Sequence, residues 1–128
     1  GLRSSLQKRD GRMNLYNVSI DITGDARALA FAKAVQDWMS YLQSQGVIGS
    51  WQLYRRKLGL ASDRQRDFLL QIEVADLAQL DQAFRMLGRK DEQIDTLYRA
   101  VSSRIASADF GLYRPFPDEE RAERMALL

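Results

Sequence analysis

The chain has 128 residues and contains neither cysteine nor histidine. Without cysteine there is no disulfide framework, no thiolate nucleophile and no Cys-ligated metal. Without histidine the commonest general base near neutral pH and the commonest transition-metal ligand are both missing. Proline is scarce, with two residues at positions 115 and 117. No apolar run approaches the roughly 18 residues that a membrane-spanning helix needs. The opening segment, GLRSSLQKRDGR, is basic and polar and lacks the apolar stretch of a secretory leader. A cytoplasmic location is therefore expected.

The formal charge of +2 is unevenly distributed. Residues 1–12 hold Arg3, Lys8, Arg9 and Arg12 against Asp10. Setting those aside leaves 15 basic against 16 acidic residues, a net of −1 for the rest. A protein that depends on nucleic-acid phosphates usually carries a strongly basic face, and no such excess exists in this body. The length suits one domain, large enough to hide roughly two-thirds of the surface its unfolded chain would expose. The expected organisation is a flexible N-terminal arm over 1–12, a folded domain over 13–117 and a helical tail over 118–128.

Within the domain the pattern changes period repeatedly. From Asn14 to Ile22, Tyr16, Val18, Ile20 and Ile22 alternate with Asn17, Ser19 and Asp21, the period of a half-buried strand. Asp25 follows as a candidate N-cap. Leu29, Ala32, Val35, Met39 and Leu42 then fall on one helical stripe, widened by Phe31, Trp38 and Tyr41. Gly46 stands where a helix ends. Val47 to Leu58 reads as a second strand, and its Arg55, Arg56 and Lys57 suit an edge. Asp67 to Val74 alternates as cleanly as the first strand. Asp76 and Asp91 precede two amphipathic helices, with Leu77, Leu80, Phe84 and Leu87 inward on one and Ile94, Leu97, Tyr98, Val101 and Ile105 on the other. A last strand covers Asp109 to Phe116, its prolines restricting it to an edge or an end.

The order β-α-β-β-α-α-β gives the fold class: α+β and ferredoxin-like, an antiparallel sheet with the first and third strands central and the helices on one face. The other face then carries Asn17, Ser19, Leu69, Gln71 and Glu73, joined by Tyr54, Arg56 and Tyr113. That mixture is too apolar for an indifferent surface and too polar for a dry core.

The strand NLYNVSIDI, the long helix after it and the closing FGLYRPFP resemble the dimeric α/β-barrel superfamily, over most of residues 13–117. The resemblance implies a homodimer in which two sheets face each other around a shared barrel. Its members include cofactor-independent monooxygenases, haem-degrading enzymes, haem peroxidases, lactone isomerases and stress-response proteins. Haem-binding members generally use a histidine ligand, which this chain lacks, so no cofactor is expected. The cofactor-independent oxygenases use Asn, Trp, Tyr and Arg around an aromatic substrate, and Asn17, Trp51, Tyr54 and Arg56 supply those residue types without a matching spaced motif.

The residues expected to line a small-molecule cavity between the sheet faces are Asn17, Ser19, Tyr54, Arg56, Gln71, Glu73 and Tyr113. Arg56 and Tyr54 would be donors there and Glu73 a candidate base. The competing reading is that they pair across a dimer interface or meet water. A cofactor-free enzyme using the same cavity, or an interaction module with a filled barrel, are the alternatives. The aromatics Phe31, Trp38, Tyr41 and Trp51 read as core or interface. No metal site is expected, because Asp91-Glu92 and Asp118-Glu119-Glu120 sit where acids favour a helix N-terminus. An RNA-binding sheet is not expected either: the segment from Arg66 to Glu73 has no glycine, and its outward positions Leu69, Gln71 and Glu73 offer no aromatic for bases to stack on.

Overall fold

The computed structural model describes residues 13–117; the arm expected over 1–12 and the tail expected over 118–128 lie outside the described residues. The elements run β1 (Asn14–Ile22), α1 (Ala28–Ser44), β2 (Trp51–Arg55), β3 (Phe68–Val74), α2 (Leu77–Leu87), α3 (Glu92–Ser102) and β4 (Ile105–Tyr113). The strands form one antiparallel sheet in the order β2-β3-β1-β4. This is the α+β, ferredoxin-like arrangement, with the two cleanly alternating strands in the middle.

The period-two pattern decides which side each residue faces. Val18 and Ile20 from β1, with Phe68, Leu70, Ile72 and Val74 from β3, are buried beneath the helices. Against them α1 sets Phe31, Ala34, Val35, Trp38, Met39 and Leu42. The rings of Phe31 and Phe68 meet at 5.0 Å between centroids. Met86 of α2 and Ile94 and Val101 of α3 complete this core.

Local chemistry sets the boundaries. The Asp76 carboxylate accepts from Gln79 N at 2.8 Å and starts α2. The Asp91 carboxylate accepts from Gln93 N and Ile94 N and starts α3. Each thus satisfies orphan donors of a first turn. Gly46 adopts φ +74° just past α1, where a side chain would be strained.

Three boundaries differ from the sequence expectation. Asp25 does not cap α1: residues 23–26 close their own turn, Ala26 N donating to Thr23 O at 3.0 Å, and the helix begins after Arg27 with no side-chain cap. Leu29 consequently points outward, 87% exposed. Strand β2 is shorter than expected because Gly49 N already bonds Glu73 O at 2.8 Å, and the chain straightens into the ladder only from Trp51. Strand β4 begins four residues early, because Ile105 pairs with Ile22 instead of extending α3.

Candidate functional site

Cross-strand register turns the helix-free face into a grid of rows. One row reads Tyr54, Leu69, Ser19, Asp109. The next is Gln52, Gln71, Asn17, Gly111. The third holds Glu73, Leu15 and Tyr113. All seven residues expected to line a cavity between sheets are thus on this face or at its end. Asn17 and Gln71 are direct neighbours, Ser19 is one row away, and the Tyr113 ring folds over Gly111, where an added Cβ would meet it at 3.3 Å. The Asn17 side-chain oxygen is sealed from solvent and has no hydrogen-bond partner among the described residues.

The expected donor and base are not brought together. Arg56 lies at one end of the face, its guanidinium 3.7 Å from Asp67 Oδ1 and donating to Gln65 O at 3.0 Å. Glu73 is six residues further along β3 from Asp67, about 20 Å at a strand's rise of about 3.3 Å per residue. One small ligand does not span that distance. The Arg56 end is an internally satisfied charged cluster. Asp21 Oδ1 accepts from Asp67 N at 3.0 Å, and Arg66 donates to Ser107 Oγ at 2.7 Å and to Asp109 Oδ2 at 3.1 Å.

The large apolar cavity is on the opposite side of the sheet. It measures about 440 Å³ and lies between the sheet and the helices, within the range of about 300–1,000 Å³ common for ligand pockets. None of the seven expected residues lines it. Its floor comes from β1, β3 and β4, its roof from the three helices, and no lining side chain is charged. Five aromatics shape it. Tyr16 of β1 stacks on Phe110 of β4, centroids 6.0 Å apart, and meets the edge of Phe84 of α2 at 5.9 Å. Trp38 of α1 packs edge-on against Tyr98 of α3 at 6.1 Å. Phe110, 65% exposed, with the exposed Phe84 and Tyr98, marks the mouth.

The cavity's polar groups are few: the hydroxyls of Tyr16, Tyr98 and Ser102 and the indole N–H of Trp38. Burial raises the Tyr16 pKa above its ordinary value of 10.0, so the phenol is protonated at neutral pH. No described residue hydrogen-bonds that hydroxyl. Reading the sequence for strands and stripes assigned Tyr16, Trp38, Phe84 and Tyr98 to the core and missed the cavity. The available signal was two tyrosines and a tryptophan on inward-facing positions, where a polar tip needs a partner.

Among the described residues no group of three or more acidic side chains is placed to hold a metal ion. No helix among them is long and apolar enough to cross a membrane.

The chain belongs to the family of unknown function DUF6614, whose model matches residues 13–128. Solved structures with the same fold include a hydroxynitrile lyase from Passiflora edulis, at 7% identity and a TM-score of 0.64, covering 84% of this chain and 97% of that one. A dimeric ferredoxin-like protein of unknown function from Thermobifida fusca aligns at 10% identity and 0.57, covering 81% and 92%. SnoaB, a cofactor-independent oxygenase from Streptomyces nogalater, seen as a mutant, aligns at 12% identity and 0.57, covering 84% and 99%. At these identities the likeness concerns the fold alone. No curated protein matches the sequence.

Proposed function

We propose that the protein is a homodimeric small-molecule-binding protein in which the helix-free sheet faces pack together and each protomer takes an apolar ligand between its own sheet and helices. The observation that carries the ligand is the cavity: about 440 Å³, open at an aromatic mouth and without a charged lining residue. In this reading Asn17, Ser19, Tyr54, Gln71 and Tyr113 serve the interface, and the ligand sits on the far side of the sheet from them. The dimer rests on the helix-free face, where Leu15, Leu69, Tyr54 and Tyr113 interrupt the polar rows. Apolar surface of that kind tends to be a binding surface, and a two-fold axis lets one patch serve both partners. The Thermobifida fusca neighbour is itself dimeric.

Two neighbours are enzymes, a lyase and an oxygenase. Here the cavity offers hydroxyls and an indole but no carboxylate, amine or guanidinium, so binding is favoured over acid–base catalysis. The test is titration with Nile red, an uncharged dye whose emission reports an apolar site. Saturable binding of one dye per protomer is expected, lost when Ala83 on the cavity wall is enlarged (Ala83→Trp) in a variant whose circular dichroism matches wild type. Failure of the wild type to bind, or undiminished binding by the folded Ala83→Trp variant, would reject the reading.

A further inference from the structure

We propose that the loop between β2 and β3, with the first turn of α1 beside it, docks on an anionic lipid bilayer. Leu29, Leu58 and Leu60 enter the headgroup boundary there, while Arg55, Lys57 and Arg64 meet the lipid charges. The inference is independent of the cavity and of the dimer.

The leucines are the first observation. Leu29, Leu60 and Leu58 are the three most exposed large apolar side chains among the described residues, at 87%, 82% and 79%. The backbone presents two of them on a closed turn. Leu60 N donates to Lys57 O at 3.1 Å, and Gly59 between the leucines takes φ +84°, a conformation that a side chain would strain. A second turn follows at once, Gln65 N donating to Ser62 O at 3.0 Å. The loop is folded, with its apolar tip in water.

The third leucine is brought to the same place. Ala32 and Gln36 of α1 line a shallow groove with Trp51 and Leu53 of β2, so α1 runs beside this edge strand. Register puts Ile22, after which the chain enters α1, at the same end of the sheet as Arg55, after which it enters the loop. Leu29 lies one turn before Ala32, toward that end. The loop itself lies beyond the rows of the helix-free face proposed for the dimer.

Charge selects the partner. Residues 55–66 carry five basic side chains against Asp63. Arg56 and Arg66 are balanced by Asp67, Asp21 and Asp109. Arg55, Lys57 and Arg64 are exposed and have no acidic partner among the described residues. At the approach to α1, Arg27 offsets Asp25 in charge. A nucleic acid would engage the cations and leave the leucines in water, and a turn tip offers no groove to clasp a peptide. An anionic bilayer takes both: aliphatic side chains enter the headgroup boundary, and each Lys or Arg at the surface strengthens partition about fivefold.

The experiment is sedimentation of the full chain with vesicles of phosphatidylcholine, alone or with about a third phosphatidylserine. Partition should be at least tenfold stronger onto the mixed vesicles. Leu58→Ser/Leu60→Ser should weaken it at least tenfold, and so should Lys57→Gln/Arg64→Gln, each in a variant whose circular dichroism matches wild type. The chain has no cysteine, so Leu60→Cys accepts a single environment-sensitive dye. Its emission should shift to the blue only when mixed vesicles are added, and the same dye at Ala78→Cys, past the other end of β3, should not shift. Absence of partition, equal partition onto the two kinds of vesicle, or undiminished partition of either loop variant would overturn the proposal; the last would assign the binding to another basic segment such as residues 1–12. A dye at Leu60→Cys already shifted without vesicles would mean that a second copy covers the tip, and would overturn it as well.

Discussion

Ile20 and Ile94 are matched probes of whether the cavity is empty in solution. Both are isoleucines in the core, 1% and 2% exposed. Ile20 forms part of the cavity wall, whereas Ile94 does not. Truncation to Ala removes three carbons from each, and at about 0.8 kcal/mol per buried methylene the lost transfer energy is about 2.4 kcal/mol. A second contribution arises where the removed atoms leave a new void, about 24 cal/mol per Å³, or about 2 kcal/mol for a void of roughly 80 Å³. At Ile94 both apply and about 4 kcal/mol should be lost. At Ile20 the removed atoms open onto the cavity instead of enclosing a separate void, so part of the second contribution is absent, and Ile20→Ala should cost about 1 kcal/mol less than Ile94→Ala. Urea unfolding of both variants at one protein concentration measures this, since association would make apparent stability concentration-dependent. A shared slope would show that the midpoints report stability alone. Equal losses, or a larger loss at Ile20, would mean that the space beside Ile20 is filled, and the binding proposal would lose its cavity.

Leu69→Asp sets an unpaired charge in the middle of the helix-free face. Light scattering across a dilution series should show a dimer for wild type and a monomer for the variant, and a wild type that stays monomeric at high micromolar concentration would end the interface proposal. Tyr16→Phe should flatten the alkaline limb of the stability curve. Below pH 10.0 folded and unfolded chains both hold the phenolic proton, and above it the unfolded chain ionises first, so stability falls as pH climbs toward the raised folded value. Thermal melts from pH 8 to 11 that superimpose for the two proteins would contradict this. At Gly49 an added Cβ would meet Glu73 O at 3.2 Å and Met13 Cε at 3.1 Å. The methionine can move but the carbonyl is held in β3, so Gly49→Ala should lose about 1 kcal/mol or more; an unchanged urea midpoint would show that the approach of the chain into β2 is looser than described.

The central sheet was legible because its information is local. Alternation in NLYNVSIDI and FLLQIEV assigns each residue to a face, so Asn17 and Gln71 were expected on one face, and the register makes them neighbours there. The helix starts at Asp76 and Asp91 were legible for the same reason, each carboxylate lying within three residues of the amides it serves. The start of α1 was not, because a turn closed by Thr23 and Ala26 uses backbone groups and leaves little trace in side-chain type. The separation of Arg56 from Glu73 was also hidden, since both fall on the correct face and only strand length sets them apart. The cavity was least legible. It is a mismatch in spacing between helices and sheet, and the residues around it satisfy the same apolar periodicity whether the space between them is filled or empty.

The two faces of the sheet divide the work at single-residue resolution. Tyr16 and Asn17 are adjacent in the chain, yet the pleat sends one toward the cavity and the other, its side-chain oxygen shielded from solvent, onto the helix-free face. A slip of one residue in β1 would exchange them, placing an amide in an apolar cavity and a phenol ring in the amide row. Several features oppose that slip. Val18 and Ile20 are buried on one side, the Asp21 carboxylate is fixed by Asp67 N on the other, and Asp67 Oδ2 accepts in return from Ile22 N at 3.3 Å. The charged cluster at the Arg56 end is therefore better understood as a register clamp for β1 against β3 than as a site for a ligand. It lies at the opposite end of these strands from Tyr16 and Glu73, and its groups are already engaged with each other. Holding β1 in register fixes the positions of Tyr16 beneath the helices and Asn17 on the helix-free face together, so the same contacts position the residues of both faces.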